Sequence, residues 1–369
     1  MTRVLYNATA ARVGGGLIYA INQVATLAEQ TDLEATVLVA PWNRGLFAEL
    51  LTGAPRATVR EVKLANASHR FAWEQIGLPV LARRFDVVVS PANFGPLLRS
   101  TPGILIQQNA NYVGQGPQLP QNAAVGRRVK IRLSHWSMRR ATAVVAISDA
   151  LADEIRSEPK LRDIALTVIR SGAASPRSDA TDPTPHGAEV ISGLVGDDPY
   201  VLVVASDYPH KRLDDAASAV PLLDAQSPAV PRHVVFVGDV TSERREVLRR
   251  MAHPFGDRLH FVGVVADRDL LDDFSRGAAV SIAPTELESW DLVLHEAAAV
   301  GCPLVVSDIP VHREIAGPDV VFFPVGDVDR LVGAIVEVTS HPRPRPWSFD
   351  RSWSEHGREL ADLMQRTSR

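Results

Sequence analysis

The chain has 369 residues, 46% of them hydrophobic and 22% charged, with a formal net charge of -4. That length exceeds what one hydrophobic core normally serves, so two soluble globular domains of ordinary size are expected, with no tract biased enough for disorder. The single cysteine, Cys302, excludes an internal disulfide framework and a cysteine-built zinc site, and the opening MTRVLYNATA lacks a secretory apolar core, so the expected setting is reducing and cytoplasmic.

The first half opens on short β-branched runs: RVLYN at 3–7, ATVLVA at 35–40, DVVVS at 86–90, GILIQ at 103–107 and AVVAIS at 143–148. Runs that are apolar on both faces and separated by helical patterns predict buried parallel strands in βαβ units. Between the first two, Gly14-Gly15-Gly16 opens a helix whose buried stripe is expected at Leu17, Ile21, Val24 and Ala28. Glycines at a strand-to-helix turn let backbone amides approach phosphate oxygens, but they also make a tight turn with no ligand, and this is neither a G-x-G-x-x-G nor a P-loop. Gln107, Gln108, Asn109 and Asn111 follow the run at 103–107, where amides suit hydroxyl recognition or an ordinary turn.

From Val87 to Ser148 there is no Asp or Glu, but there are seven Lys and Arg residues, which predicts a local positive field. Most lie in the helical stretch 126–141, where Val129, Leu133 and Trp136 are expected to point inward and Arg127, Arg128, Lys130, Arg132, Arg139 and Arg140 outward. A solvated face is the plain reading; an anionic acceptor or peripheral contact with an acidic membrane surface is the functional one. No nucleic-acid partner is expected, because no binding motif accompanies the charge.

The Pro-, Ser-, Asp- and Gly-rich stretch at 175–194 reads as a linker between a domain at 1–174 and a second at 195–347. A new strand series then begins with YVLVVAS at 200–206 and continues through HVVFVG, LHFVG, AAVSIAP, PLVVSD and VVFFP. Asp327-Val328-Asp329 has the spacing of a metal-diphosphate motif, but it starts a helix and reads as a cap, so no metal is expected. The tail, 348–369, reads as a helix returning toward the first domain. The fold class is α/β, with two doubly wound, Rossmann-like domains.

Two segments of the second half carry chemistry. In AAVSIAPTELESWDLVLHEAAAVGCPLVVSD, 278–308, a strand leads into a loop with Glu286 and Glu288, and Asp291 can cap a helix that contains Glu296. Glu288 and Glu296 fall at the carboxyl end of the strand, and each can accept paired hydrogen bonds from vicinal hydroxyls or stand as a solvated helix-end carboxylate. In ASDYPHKRLDDAASA, 205–219, Lys211 lies at a strand-to-helix turn, where a cation can neutralise a diphosphate or be a surface lysine.

The segment 278–308, continuing into IPVHREI, resembles the E-x7-E signature of the large family-four retaining glycosyltransferases of GT-B fold, over some forty residues. The resemblance implies two domains facing across a cleft and transfer of a hexose or deoxyhexose, mannose-like by a weak hint from Pro-His-Lys, from a nucleoside diphosphate sugar to an acceptor hydroxyl. It implies retention of configuration, no metal and no cofactor beyond that donor. Glu296 would bind the ribose, Glu288 the sugar hydroxyls, and Lys211 and Glu288 would be the catalytic pair. Gly15, Gly16, Ser206, Arg212, Ser289, Trp290, Asp291 and Leu292 would complete the donor site, and Gln108, Asn109 and Asn111 would face the acceptor.

Two departures stand out. The family's Gly-aromatic-Gly after the first Glu is here Ser289-Trp290-Asp291, whose side chains are expected to crowd amides that face the donor. Its usual Arg before the Lys is Ser206, with His210 and Arg212 as replacement charges. The acceptor would be a saccharide, a lipid-linked saccharide or a small molecule, in surface glycan or glycosylated natural product biosynthesis. The alternatives are a nucleotide-sugar 2-epimerase of the same fold and a catalytically silent nucleotide-sugar binder.

Overall fold

The computed structural model describes all residues except 13, 99, 115–120, 174–181, 343–345, 350 and 369, and the side chains of 121–125. The chain divides into two compact units, one of Met1–Gly172 with Arg351–Arg369 and one of Ala173–Asp350. The first contains β1 (Thr2–Asn7), α1 (Gly14–Ala28), β2 (Leu33–Val39), α2 (Arg44–Leu50), β3 (Ala57–Glu61), α3 (Ala67–Ala82), β4 (Val87–Ser90), β5 (Gly103–Gln107), α4 (Gln121–Arg140), β6 (Ala143–Ala146), α5 (Asp149–Ser157) and β7 (Leu166–Val168). The second contains α6 (Pro185–Val195), β8 (Tyr200–Val204), α7 (Leu213–Asp224), β9 (His233–Val237), α8 (Ser242–Met251), β10 (Leu259–Gly263), α9 (Arg268–Gly277), β11 (Val280–Ala283), α10 (Leu292–Ala299), β12 (Leu304–Ser307), α11 (Pro310–Ile315), β13 (Val321–Phe323) and α12 (Val328–Thr339). The last helix, α13 (Trp353–Thr367), belongs to the first unit.

Each unit is one parallel sheet, ordered β3-β2-β1-β4-β5-β6-β7 in the first and β10-β9-β8-β11-β12-β13 in the second. The doubly wound expectation holds. Two strands have no counterpart in the sequence reading, β3 and β7, and both are edge strands. β3 buries Ala57 but exposes Thr58, Arg60 and Glu61, so it lacks the continuous apolar run that marks a strand covered on both faces. The stretch expected as a linker also differs: 175–181 lie outside the described residues, and Pro185–Val195 is a helix. Thr184 caps it by accepting from the Gly187 amide at 3.1 Å, and only Gly187, Ile191 and Val195 are buried, a stripe too narrow to stand out in the sequence.

In the first unit α1 is rotated from its expected phase, because α13 packs against it. Its buried residues are Tyr19, Ala20, Gln23, Val24, Thr26 and Leu27, while Leu17, Ile21 and Ala28 are only half-buried. The polar members of that face are consumed by His356 of α13. His356 Nδ1 donates to the Arg170 carbonyl at 2.9 Å, so Nε2 is left to accept from Gln23 Nε2 at 2.9 Å and Tyr19 Oη at 3.3 Å, and Gln23 in turn accepts from the Tyr6 hydroxyl. α4 is likewise out of phase: it buries Ser134, His135, Ser137 and Met138 and leaves Val129 and Trp136 in solvent, against expectation. The reason is the Ser137 hydroxyl on the Gly95 carbonyl and the His135 ring on the Val113 carbonyl, which turn the polar side of the helix inward.

Burial pushes His356 down to about 4 from its usual 6.5, and the bond to the Arg170 carbonyl offsets only part of that. A folded value below the unfolded one means the stabilisation is present above pH 6.5 and is lost as pH falls toward about 4. Urea midpoints should therefore drop between pH 7.5 and pH 5. His356→Gln should be less stable at pH 7.5 and lose less over the same interval; an equal loss would remove His356 as the cause.

Candidate functional site

In the second sheet the chain runs outward from β8 through β9 to β10, and in the opposite direction from β11 through β12 to β13. The crevice where strand order reverses, beyond the carboxyl ends of β8 and β11, is where doubly wound sheets bind ligands. The segment 205–212 follows β8 there and 284–291 follows β11. One carbonyl joins them: the O of His210 accepts from Thr285 Oγ1 at 2.8 Å and from the Glu286 amide at 2.9 Å. Behind it, the buried Ser307 hydroxyl donates to the carbonyls of Thr285 and Ala283.

Two of the charged residues expected in this region, Lys211 and Glu288, meet; the others have different partners. Lys211 Nζ is ion-paired with Glu288, and both side chains are largely buried. Burial works against the ammonium, but the charges of Glu288 and Asp291 hold its pKa above the usual value. Glu296, in α10, is paired with Arg268 at the start of α9, and burial still raises its carboxyl above the usual range. Arg212, the expected substitute charge, is spoken for: its guanidinium makes a fork of 2.7 and 2.9 Å with Asp215, and its other side lies 3.6 Å from Glu286.

Asp291 departs from its expected role. It precedes α10, yet its carboxylate makes no capping bond, and its φ of 57° is in the left-handed region that favours glycine. Instead Oδ2 accepts from His312 Nε2 at 3.1 Å, while His312 Nδ1 donates to the Ser307 carbonyl at 2.8 Å. Burial opposes the charge on Asp291, and the His312 bond and the Lys211 charge more than offset it, holding the carboxyl below its usual range. Trp290 does not crowd the loop amides, because its ring turns into the core, stacked on His295 with centroids 5.2 Å apart and edge-on to Phe349 at 5.2 Å. His295 is fully buried with no protein partner for either ring nitrogen, and burial pushes it down to about 4.

The remaining predicted residues occupy ordinary positions. Ser206 Oγ accepts from the Asp239 amide at 3.4 Å, Ser289 is buried, and Leu292 begins α10. In the first unit Gly15 and Gly16 are exposed in the first turn of α1, and a Cβ on Gly16 would stand 3.7 Å from Gln108 Oε1, so the glycine turn and Gln108 share one place. Asn109 serves the turn itself, accepting from the Asn111 amide at 2.9 Å. Asp327 caps α12 through the Arg330 amide at 3.0 Å, as expected. Among the described residues no group of three or more His, Cys, Asp or Glu is arranged to hold a metal. Arg268 and His312, the partners of Glu296 and Asp291, carry no motif that marks them in the sequence.

Residues 198–341 match the family model described as Glycosyl transferases group 1, which agrees with the resemblance carried by the E-x7-E segment. Among curated proteins, the glycogen synthase of Mycobacterium tuberculosis is 29% identical over 227 residues, 60% of this chain and 51% of that protein. The chain thus spans about half the length of the curated relatives it matches. Among solved structures, Anabaena HepE in complex with UDP and glucose superposes with a TM-score of 0.72 at 15% identity, covering 99% of this chain and 100% of that one. Sucrose-phosphate synthase from Thermosynechococcus elongatus gives 0.70 at 15% identity, covering 100% and 96%. At these identities the structural likeness establishes the fold, two Rossmann-like domains of the GT-B kind.

The Asp291–His312 pair is testable through its strain. If the carboxylate contributed nothing, Asp291→Gly would relieve the left-handed backbone and stabilise the chain by up to about 1–2 kcal/mol. Because it leaves a buried histidine without its carboxylate, the variant should instead be less stable, by about 3 kcal/mol. A thermal midpoint above that of the parent would show the pair to be dispensable.

Proposed function

We propose that the protein is a retaining glycosyltransferase that moves a hexose or deoxyhexose from a nucleoside diphosphate sugar to an acceptor hydroxyl. The observation that carries the reading is the meeting of Lys211 with Glu288, and of Glu296 nearby in sequence, beyond the carboxyl ends of β8 and β11, in a domain that matches a glycosyltransferase family. Lys211 neutralises the departing diphosphate, Glu288 holds sugar hydroxyls and Glu296 the ribose. Both glutamates are already bonded to cations, so donor hydroxyls must replace those bonds, and Lys211 turns from Glu288 toward phosphate oxygens as the donor enters. Exposed amides at Gly15 and Gly16 suit a phosphate oxygen as well.

The bond from the anomeric carbon to the diphosphate oxygen breaks, and its electron pair leaves on that oxygen. The acceptor oxygen attacks from the same face, and its proton passes to the leaving phosphate, which accounts for retention without a covalent sugar intermediate. On this reading the charge on Lys211 does the work of a metal, so turnover should survive EDTA; activity abolished by chelation and restored by magnesium or manganese would contradict that. UDP and UDP-glucose, bound in structures of similar fold, are the natural first probes, followed by donors of mannose-like sugars.

The two glutamates separate in their effects. Glu296→Gln should weaken binding of both the nucleotide sugar and the bare nucleoside diphosphate by about 1.5–3 kcal/mol. Glu288→Gln should leave bare diphosphate affinity nearly unchanged while kcat falls, since only sugar positioning is lost. Calorimetry beside initial rates reads both. Variants that bind and turn over like the parent would dismiss the assignment, and donor consumed at the same rate without acceptor would favour epimerase chemistry.

A further inference from the structure

The first unit carries a second surface that the transferase reading does not use. α3 and α4 cover the same face of its sheet: Val88 of β4 packs against Leu78 and Ala82 of α3, and it also lines, with Ser137 and Arg140 of α4, an apolar pocket between the two helices. The loop at 95–100 ties them together, with the Leu97 amide on Gln75 Oε1 at 2.9 Å, the Ser100 hydroxyl on the Pro79 carbonyl and the Ser137 hydroxyl on the Gly95 carbonyl at 3.3 Å. Facing away from the sheet on this side are five large apolar side chains: Ile76 (71% exposed), Val80 (60%), Leu98 (72%), Val129 (50%) and Trp136 (49%). Ile76 and Val80 are one turn apart on α3, and Val129 and Trp136 are two turns apart on α4, so each pair forms a short stripe.

Among the described residues, the charged side chains that α3 and α4 themselves expose have one sign. Arg83 and Arg84 follow the α3 stripe, and Arg128, Arg132 and Arg139 flank the α4 stripe, all exposed. The only acid in α3 is Glu74, which is buried and turned inward onto Asn7 and Thr9, and α4 contains no acid. A basic surface alone fits any polyanion. Exposed aliphatic side chains, a tryptophan and an apolar pocket lined by Pro79, Ala82, Leu98 and Leu105 select a partner that is anionic at its surface and apolar beneath it.

We infer that the α3–α4 face docks the protein on an anionic lipid bilayer, with Trp136, Val129, Leu98, Ile76 and Val80 entering the headgroup–acyl boundary and the arginines meeting lipid phosphates. Such a partner joins a short-range apolar contribution to a long-range one that salt screens. The inference is independent of the transferase reading, since no residue assigned to the donor lies on this face.

The test is flotation of the full chain with vesicles of phosphatidylcholine alone or mixed with phosphatidylglycerol, at low and high salt. Binding is expected only to the anionic vesicles, and it should weaken as salt rises. Arg128→Glu/Arg132→Glu/Arg139→Glu should lower vesicle affinity about tenfold or more. Trp136→Ser with Leu98→Ser should lower it comparably, while circular dichroism and the thermal midpoint confirm that both variants are folded. No binding of the parent to anionic vesicles, or equal binding to phosphatidylcholine alone, would overturn the inference. So would full retention of binding by the Trp136/Leu98 variant, because the face would then be a general polyanion site, a result that binding of dextran sulfate by the same variant would identify.

Discussion

The site in the second unit depends on one adjacency, β8 beside β11, which brings the loop of Lys211 and the loop of Glu288 to the same sheet end. Parallel pairing makes that adjacency possible, because every strand delivers its carboxyl end to one edge, and the reversal of strand order leaves a gap where two loops diverge. Placing an ammonium and three carboxylates in so buried a region is costly unless they are paired. The protein resolves this internally, with Lys211 on Glu288, Arg268 on Glu296 and His312 on Asp291. On the proposed reading, in which these groups recognise the donor, each already has a partner, and the donor would bind by exchanging partners rather than by filling bare charges. Exchange favours ligands that supply both an anion for Lys211 and hydroxyl donors for the glutamates, which is the chemistry of a nucleoside diphosphate sugar.

The loop after β11 shows how a departure from a family pattern is absorbed. Glycine at the Asp291 position would adopt φ of 57° without strain, whereas an aspartate must be held there by something else. His312 supplies that restraint from α11, and its other nitrogen is fixed by the carbonyl of Ser307 at the end of β12. Three consecutive elements of the sheet edge thus fix one side chain. The result is a second carboxylate, besides Glu288, acting on Lys211, and on the proposed reading it would lower the positive potential left for phosphate.

Much of the fold was legible in the sequence because parallel strands covered by helices write themselves as apolar runs, and eleven such runs were readable without a structure. The loops of Lys211 and Glu288 could be placed at strand ends because each directly follows such a run, and the E-x7-E spacing stood out through its resemblance to a family pattern. What escaped was whatever depends on a partner distant in the chain. β3 alternates with exposed polar residues, and β7 is three half-buried residues long, so neither writes a continuous apolar run. The phase of α1 was hidden because α13 covers it with a polar network instead of an apolar stripe, and the phase of α4 because Ser134, His135 and Ser137 are the residues it buries. Arg268 and His312, 28 and 21 residues from the carboxylates they bind, bore no local sign of those bonds.

The central claim is that the second unit recognises a nucleoside diphosphate through Lys211, and a thermal-shift series on the full chain addresses it most directly. With nucleoside diphosphates supplied at 100 times the dissociation constant, the account predicts a gain of about 2.7 kcal/mol for the correct base and the loss of most of that gain in Lys211→Met. If no nucleoside diphosphate raises the parent's melting temperature, or if Lys211→Met keeps the whole shift, the assignment of this site is contradicted.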